Sequence, residues 1–236
     1  SLYTREYARI AFFNGFRKDL PDILKPVVPY RLLWYAIMGK KESYITALAH
    51  EAFHAFQGQN APQMLAAAEH AVAASGNYPW DAAKSQRLWE KEADALYKAV
   101  SAESKTKAQK HAAVFLKQRN KRRTALDLQQ KHKAYEQRRE WLEGMAKYAE
   151  LRLGHTACNN ASYQPLAVMD TISGFHAYDK EADYWAQQLK EVTRVGNKHG
   201  DALFYYTGMA QAALLDRLHP TWKTALWEED ASPEIL

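Results

Sequence analysis

The sequence predicts a mainly α-helical protein with a minor β element, so α+β in the strict sense, and three observations predict it. No glycine or proline interrupts residues 80–143, a run rich in helix formers. Apolar residues return at three- and four-residue steps through most of the longer segments. Only Tyr30 to Met38, an aromatic and aliphatic run closed by Gly39, reads as a buried strand. At 236 residues with 47% hydrophobic content the chain can bury a full core, and a single domain is expected.

Taken in order, Leu2 to Leu20 carries Tyr3, Tyr7, Ile10, Phe13 and Phe16 on one helical face, interrupted by Gly15. Pro26 and Pro29 then disfavour helix ahead of the strand. A helix from about Tyr44 is expected to stop near Gly58, and the alanine-rich Ala61 to Ala74 to form the next. The turn cluster Ser75 to Trp80 closes it, with Asp81 placed to cap the helix after it. Two long helices are expected beyond, broken at Ser101 to Lys105. The first is marked by Leu88, Ala95, Leu96 and Val100, the second by Val114, Phe115, Leu126 and Leu128 and later by Trp141 and Leu142. Gly154 to Ser173 reads as loop, Tyr178 to Val195 and Asp201 to Leu218 as helices, and Trp222 and Trp227 as anchors of a docking tail after Pro220.

The formal charge of +5 is unevenly placed, because Lys105 to Glu143 holds twelve Lys and Arg against four Asp and Glu. Such a basic arm can meet nucleic acid or an anionic surface, or be one solvated helix face. It lacks a run of interleaved aromatics for stacking on bases, so nucleic acid is not the expected partner. No apolar run approaches the roughly 20 residues that span a bilayer, so no transmembrane segment is expected. Cys158 is the lone cysteine and cannot form a disulfide within the chain. An exported or periplasmic setting is expected over the cytoplasm.

One stretch carries chemistry: His50-Glu51-Ala52-Phe53-His54. Residues four apart share a helix face, so His50 and His54 can hold one zinc ion while Glu51 faces a water on it. Ala47, Leu48, Ala49, Ala52, Phe53, Ala55 and Phe56 make this helix apolar nearly all round, which predicts burial. The bland alternative is a core helix whose histidines bond carbonyls. A catalytic zinc usually has three protein ligands. A metzincin would need glycine at position 57 and histidine at position 60, where this chain has Gln57 and Asn60. The nearby-glutamate spacing of thermolysin-like enzymes falls on alanines, so the third donor is distant. Glu90 with Asp94 is one possibility. Glu143 is preferred, because Glu136, Glu140, Glu143 and Glu150 form an acidic stripe that suggests a cationic target. Gly144, Ala146 and Ala149 would also let this helix approach the motif helix closely. Ordinary ion pairing, such as Glu136 with Arg139, is the plainer reading of the stripe.

His50 to Gln57, followed much later by Glu143-Gly-Met-Ala-Lys-Tyr148 and by Phe204-Tyr-Tyr-Thr-Gly-Met-Ala210, resembles the gluzincin metallopeptidases. The likeness is to bacterial sets with an HExxH helix and a distant Glu-Gly-x-Ala-x-Tyr helix. It implies a zincin-like single catalytic domain over residues 1–236, with the basic arm at about 105–143 and the strand bordering the cleft. It further implies Zn2+ on His50, His54 and Glu143, and a peptide or protein substrate cleaved by a zinc-bound water that Glu51 activates. Gluzincins take their oxyanion donor from Tyr or His, which points to Tyr205 or Tyr206, the former favoured, with His176 a further option. Tyr148 would bond a metal ligand or simply pack. Lys147 stands where thermolysin-like enzymes place Asp, leaving the partner of the histidines unidentified. The alternative is a non-catalytic binding module that uses the basic 105–139 helix and keeps a vestigial or structural metal site.

Overall fold

The structure, a computed structural model, describes residues 41–80, 84–197 and 200–236. The expected helix at Leu2 to Leu20, the strand at Tyr30 to Met38 and the cap at Asp81 lie outside these residues. The described residues are mainly helical and contain no strand. The elements are α1 (Lys41–Asn60), α2 (Pro62–Ala71), a 3-10 turn (Val72–Asn77), α3 (Ser85–Val100), α4 (Lys105–Ala125), α5 (Gln130–Arg139), a π-helical turn (Glu140–Gly144) and α6 (Met145–Asn159). Then come α7 (Ala167–Asp170), α8 (Glu181–Glu191), a second 3-10 turn (Val192–Asn197), α9 (Ala202–Leu218) and α10 (Trp222–Ala225). No helix among them is long and apolar enough to cross a membrane.

The chain divides into two compact units, Ser1–Ile45 with Gln164–Ala177, and Thr46–Tyr163 with Tyr178–Leu236. In the first, the Glu42 carboxylate accepts the backbone N–H of His176. The second holds a core built from Trp89, Leu96, Phe115, Tyr135, Trp141, Leu142, Met145, Leu203, Phe204 and Met209.

α1 runs through Gly58 to Asn60, beyond the expected stop. Ala61 N–H still bonds Gln57 O, and Pro62, which has no N–H to lose, opens α2. Nor is α1 buried all round: Leu48, Glu51, Ala52, Ala55 and Phe56 are exposed. Its buried side carries His50 and Gln57, with Phe53 packed against the core. α3 and α4 pack against each other across the expected break, where Ser104 Oγ caps α4 by accepting Lys107 N–H at 3.2 Å. The expected second long helix is interrupted once more, between Ala125 and Gln130, so the basic arm is not one rod. α6 continues to Asn159 where a loop was expected from Gly154. That glycine sits buried against Glu181, whose Oε2 would lie 2.9 Å from an added Cβ, so it serves close packing and does not end the helix.

The arm's arginines turn inward. Phe115, Arg119, Arg122 and Arg123 share the buried face of α4, with Leu126 buried just past its end, and the guanidiniums meet glutamates from four other places in the chain. Arg119 Nε reaches Glu92 at 2.8 Å and its Nη2 reaches Glu140 at 2.5 Å. Arg122 Nε reaches Glu92 at 2.5 Å and its Nη1 reaches Glu136 at 2.6 Å. Arg123 pairs with Glu136 at 2.7 Å, and Glu234 from the tail accepts from Arg119, Arg123 and Gln137. Two members of the acidic stripe, Glu136 and Glu140, are therefore wholly buried counter-ions and face no cationic target. Their partners are also not the helix neighbours suggested by spacing. Exposed positive charge on the arm is left mainly to lysines such as Lys105, Lys107, Lys110, Lys117 and Lys121.

The π turn crosses α9 with backbone on backbone. A Cβ added at Gly144 would lie 2.4 Å from Gly208 Cα, and one at Gly208 would lie 2.6 Å from Glu140 O. Gly144 thus serves the last long helix, where the sequence suggested closeness to the motif helix. Gly208→Ala is expected to cost about 3 kcal/mol, the upper part of the usual overpacking range, with urea unfolding as the measurement. The tail docks as expected: Trp222 is buried, and Trp141 Nε1 donates to Leu226 O at 3.1 Å.

Candidate metal centre

The i, i+4 spacing on α1 sets the rings of His50 and His54 edge to face, with centroids 4.9 Å apart. Glu143 comes to them from the π turn. Its Oε2 lies 3.4 Å from His50 Nε2 and 3.4 Å from His54 Nε2. These are the side chains that sequence spacing put forward as ligands, and their donor atoms all lie within 4.8 Å of one another. Glu90 and Asp94 are elsewhere, exposed on α3 and bonded to Gln86 and Lys98.

The length of the two contacts is informative. A charge-assisted N–H···O bond settles at about 2.7–2.9 Å. Two ligands bound to one tetrahedral ion at about 2.0–2.1 Å stand about 3.3–3.4 Å apart. Glu143 Oε2 is buried, has no hydrogen bond of ordinary length and lies between two ring nitrogens. Two imidazoles and one carboxylate are also a donor set that suits zinc. The residues fit a divalent ion.

Each ligand is held by a second partner. His54 Nδ1 lies 2.8 Å from Gln57 Oε1, while Gln57 Nε2 donates to Trp141 O at 2.8 Å and Leu142 O at 3.2 Å. His50 Nδ1 faces Glu150 Oε2 at 3.3 Å, and Glu150 also pairs with Lys147 at 2.7 Å. Glu143 Oε1 accepts from Arg139 at 2.8 Å, and Arg139 reaches Asp201 at 2.7 Å. Asp201 in turn accepts the Tyr135 hydroxyl. Sequence reasoning missed Gln57, Arg139 and Asp201 as partners of the site, and it placed Glu150 on the acidic stripe without assigning it to His50. Spacing held the missing signal: Gln57 is two turns beyond His50 on the same face, and Glu150 is two turns beyond Glu143.

The other named residues separate. Tyr205 stacks on His50, with centroids 5.7 Å apart and planes 8° from parallel. Burial and its hydrogen bond to Glu143 push its phenol far above the usual value. Tyr206 is raised by burial and by Glu191 and Glu150. Tyr148 donates to Asp216 at 2.6 Å, which makes it a packing residue. Glu51 is exposed on α1 beside His50. His176 belongs to the other unit.

Burial alone would lower the basicity of His50, but the Glu143 and Glu150 carboxylates outweigh it and raise the pKa from 6.5 to about 9. Burial would likewise raise Glu143, yet His50, His54 and Tyr205 hold it far below the usual carboxylate range. An ion binding through Nε2 must displace the His50 proton. Affinity for a divalent ion is therefore expected to rise about tenfold per pH unit from about pH 7 toward 9 and to level off above. Calorimetric titration across that range reads the slope, and a flat profile would contradict the raised basicity. In the ion-free protein the sign reverses. Because the folded value exceeds 6.5, the stabilisation from charged His50 is complete below pH 6.5 and is lost as pH rises through about 9.

The chain matches no protein-family model, no curated protein and no solved structure.

Proposed function

We propose that this chain is a zinc-dependent metallopeptidase of the gluzincin type, in which His50, His54 and Glu143 hold the ion and Glu51 is the general base. The observation that carries the reading is Glu143 Oε2, buried and 3.4 Å from each of two histidine nitrogens. When bound, zinc supplies a Lewis acid that polarises an amide carbonyl and makes water acidic near neutral pH. A Glu51 carboxylate oxygen takes the proton of the attacking water and delivers it to the leaving amine nitrogen. The exposure of Glu51 leaves it open to both water and substrate. Tyr205 is the preferred oxyanion donor over Tyr206. Its phenol keeps its proton well past neutrality, and in this role it would turn that proton from Glu143 to the oxygen on which negative charge develops. Arg139 holds the far oxygen of Glu143, leaving Oε2 for the ion.

The test is metal content with activity. The purified chain is expected to hold one zinc ion and to hydrolyse a mixed peptide library. A strong chelator should abolish hydrolysis, and added zinc should restore it. Failure to bind zinc stoichiometrically would end this reading.

A further inference from the structure

The hydrogen bonds around Gln57 single it out from every other neighbour of the site. It is completely buried, the primary amide is neutral, and both ends are engaged in a fixed sense. Nε2 donates to two backbone carbonyls, Trp141 O and Leu142 O, which can only accept. The amide cannot flip without setting its oxygen against those carbonyls, so Oε1 must be the end that faces His54 Nδ1 at 2.8 Å. An acceptor at Nδ1 requires the proton there. With the ring neutral, as a metal ligand must be, that leaves the lone pair on Nε2, the nitrogen facing Glu143 Oε2.

The two carbonyls belong to the same π turn that carries Glu143. Leu142 O also accepts Met145 N–H, so Gln57 adds a second donor to that carbonyl. One five-residue turn thus supplies Glu143 itself and, through Gln57, the setting of His54.

We infer that Gln57 is a positioning residue that fixes the Nδ1–H tautomer of His54 by bridging it to the Glu143-bearing π turn. The inference rests on the metal-site reading above and deepens it, assigning His54 a neutral amide partner where His50 has the carboxylate of Glu150.

The experiment uses the full chain and three readouts. Zinc affinity is measured by competition with a chromophoric chelator, and Co2+ is substituted to read the visible ligand-field spectrum. Long-range proton–nitrogen NMR correlation reads which His54 nitrogen carries the proton in the zinc-loaded wild type. Gln57→Met, close in shape but without the amide, is expected to lower zinc affinity by about 10–100-fold and to change the Co2+ spectrum. Gln57→Glu, kept protonated by burial against the two carbonyls, retains a donor to them and an acceptor for His54 and is expected to recover part of the loss, which a role in packing alone would not produce. Should Gln57→Met fail to fold, the wild-type NMR decides, with a proton on Nδ1 expected. A proton on Nε2, or Gln57→Met binding Zn2+ and Co2+ as wild type does, overturns the inference and leaves the metal site standing. Wild type that binds neither ion defeats the metal-site reading itself.

Discussion

Glu51→Gln is expected to leave one zinc ion on each chain while lowering kcat by about 10²–10⁴-fold, the range general-base catalysis contributes. The two halves of this result have separate causes. Glu51 lies outside the cluster of His50, His54 and Glu143 and is exposed, so exchanging one oxygen for an amide leaves the ligands and their partners untouched. What it removes is the only function the amide cannot reproduce, taking and returning a proton. Glu143→Gln provides the contrast. Loss of that carboxylate removes a ligand, and zinc affinity should fall by more than the ~10–100-fold typical of an outer partner such as Gln57. Steady-state kinetics with metal analysis on both variants distinguishes them. Undiminished turnover in Glu51→Gln would exclude Glu51 as the base, and retained zinc in Glu143→Gln would exclude Glu143 as a ligand.

Arg122→Met is expected to destabilise the fold by about 3–5 kcal/mol, the cost of breaking a buried ion pair from one side. That corresponds to a fall in Tm of about 6–20 °C for a chain of this size. Arg122 is completely buried and its guanidinium lies over the Trp89 ring at 3.5 Å, bridging Glu92 and Glu136. Deleting it leaves Glu92 to Arg119, and Glu136 to Arg123 and Tyr78, with two carboxylates short of positive charge in the interior. Arg122→Lys should recover little, since an ammonium cannot span both carboxylates as the planar fork does. Differential scanning calorimetry is the measurement. A Tm within about 2 °C of wild type would mean that the buried pairs contribute almost nothing beyond what water and neighbours replace.

The parts of the site that were legible in sequence were those fixed by helix periodicity. His50 and His54 share a face because 3.6 residues make a turn, and a zinc ligand set then required one distant carboxylate. Glu143 could be preferred over Glu90, although Gly144, one of the small residues cited for it, serves a different contact. Gly144 packs on Gly208, a partner 64 positions away that no local pattern announces. The long helical stretch was readable from the absence of glycine and proline, but the break near Leu126 was not, since Leu126 to Gln129 contains no breaker. Asp127 there takes a positive φ of 50°, a conformation Asp tolerates better than most. The arginines misled because charge normally signals solvent. Their spacing said otherwise: Arg119, Arg122 and Arg123 continue the apolar face set by Phe115 and Leu126, and the acids needed to neutralise them were already present as Glu92, Glu136 and Glu140.

Where α9 lies across the π turn, main chain rests on main chain with no side chain between them to swing aside. Tyr205 and Glu143 are consequently mounted on one stiff frame, and the crossing of the two backbones presets their separation.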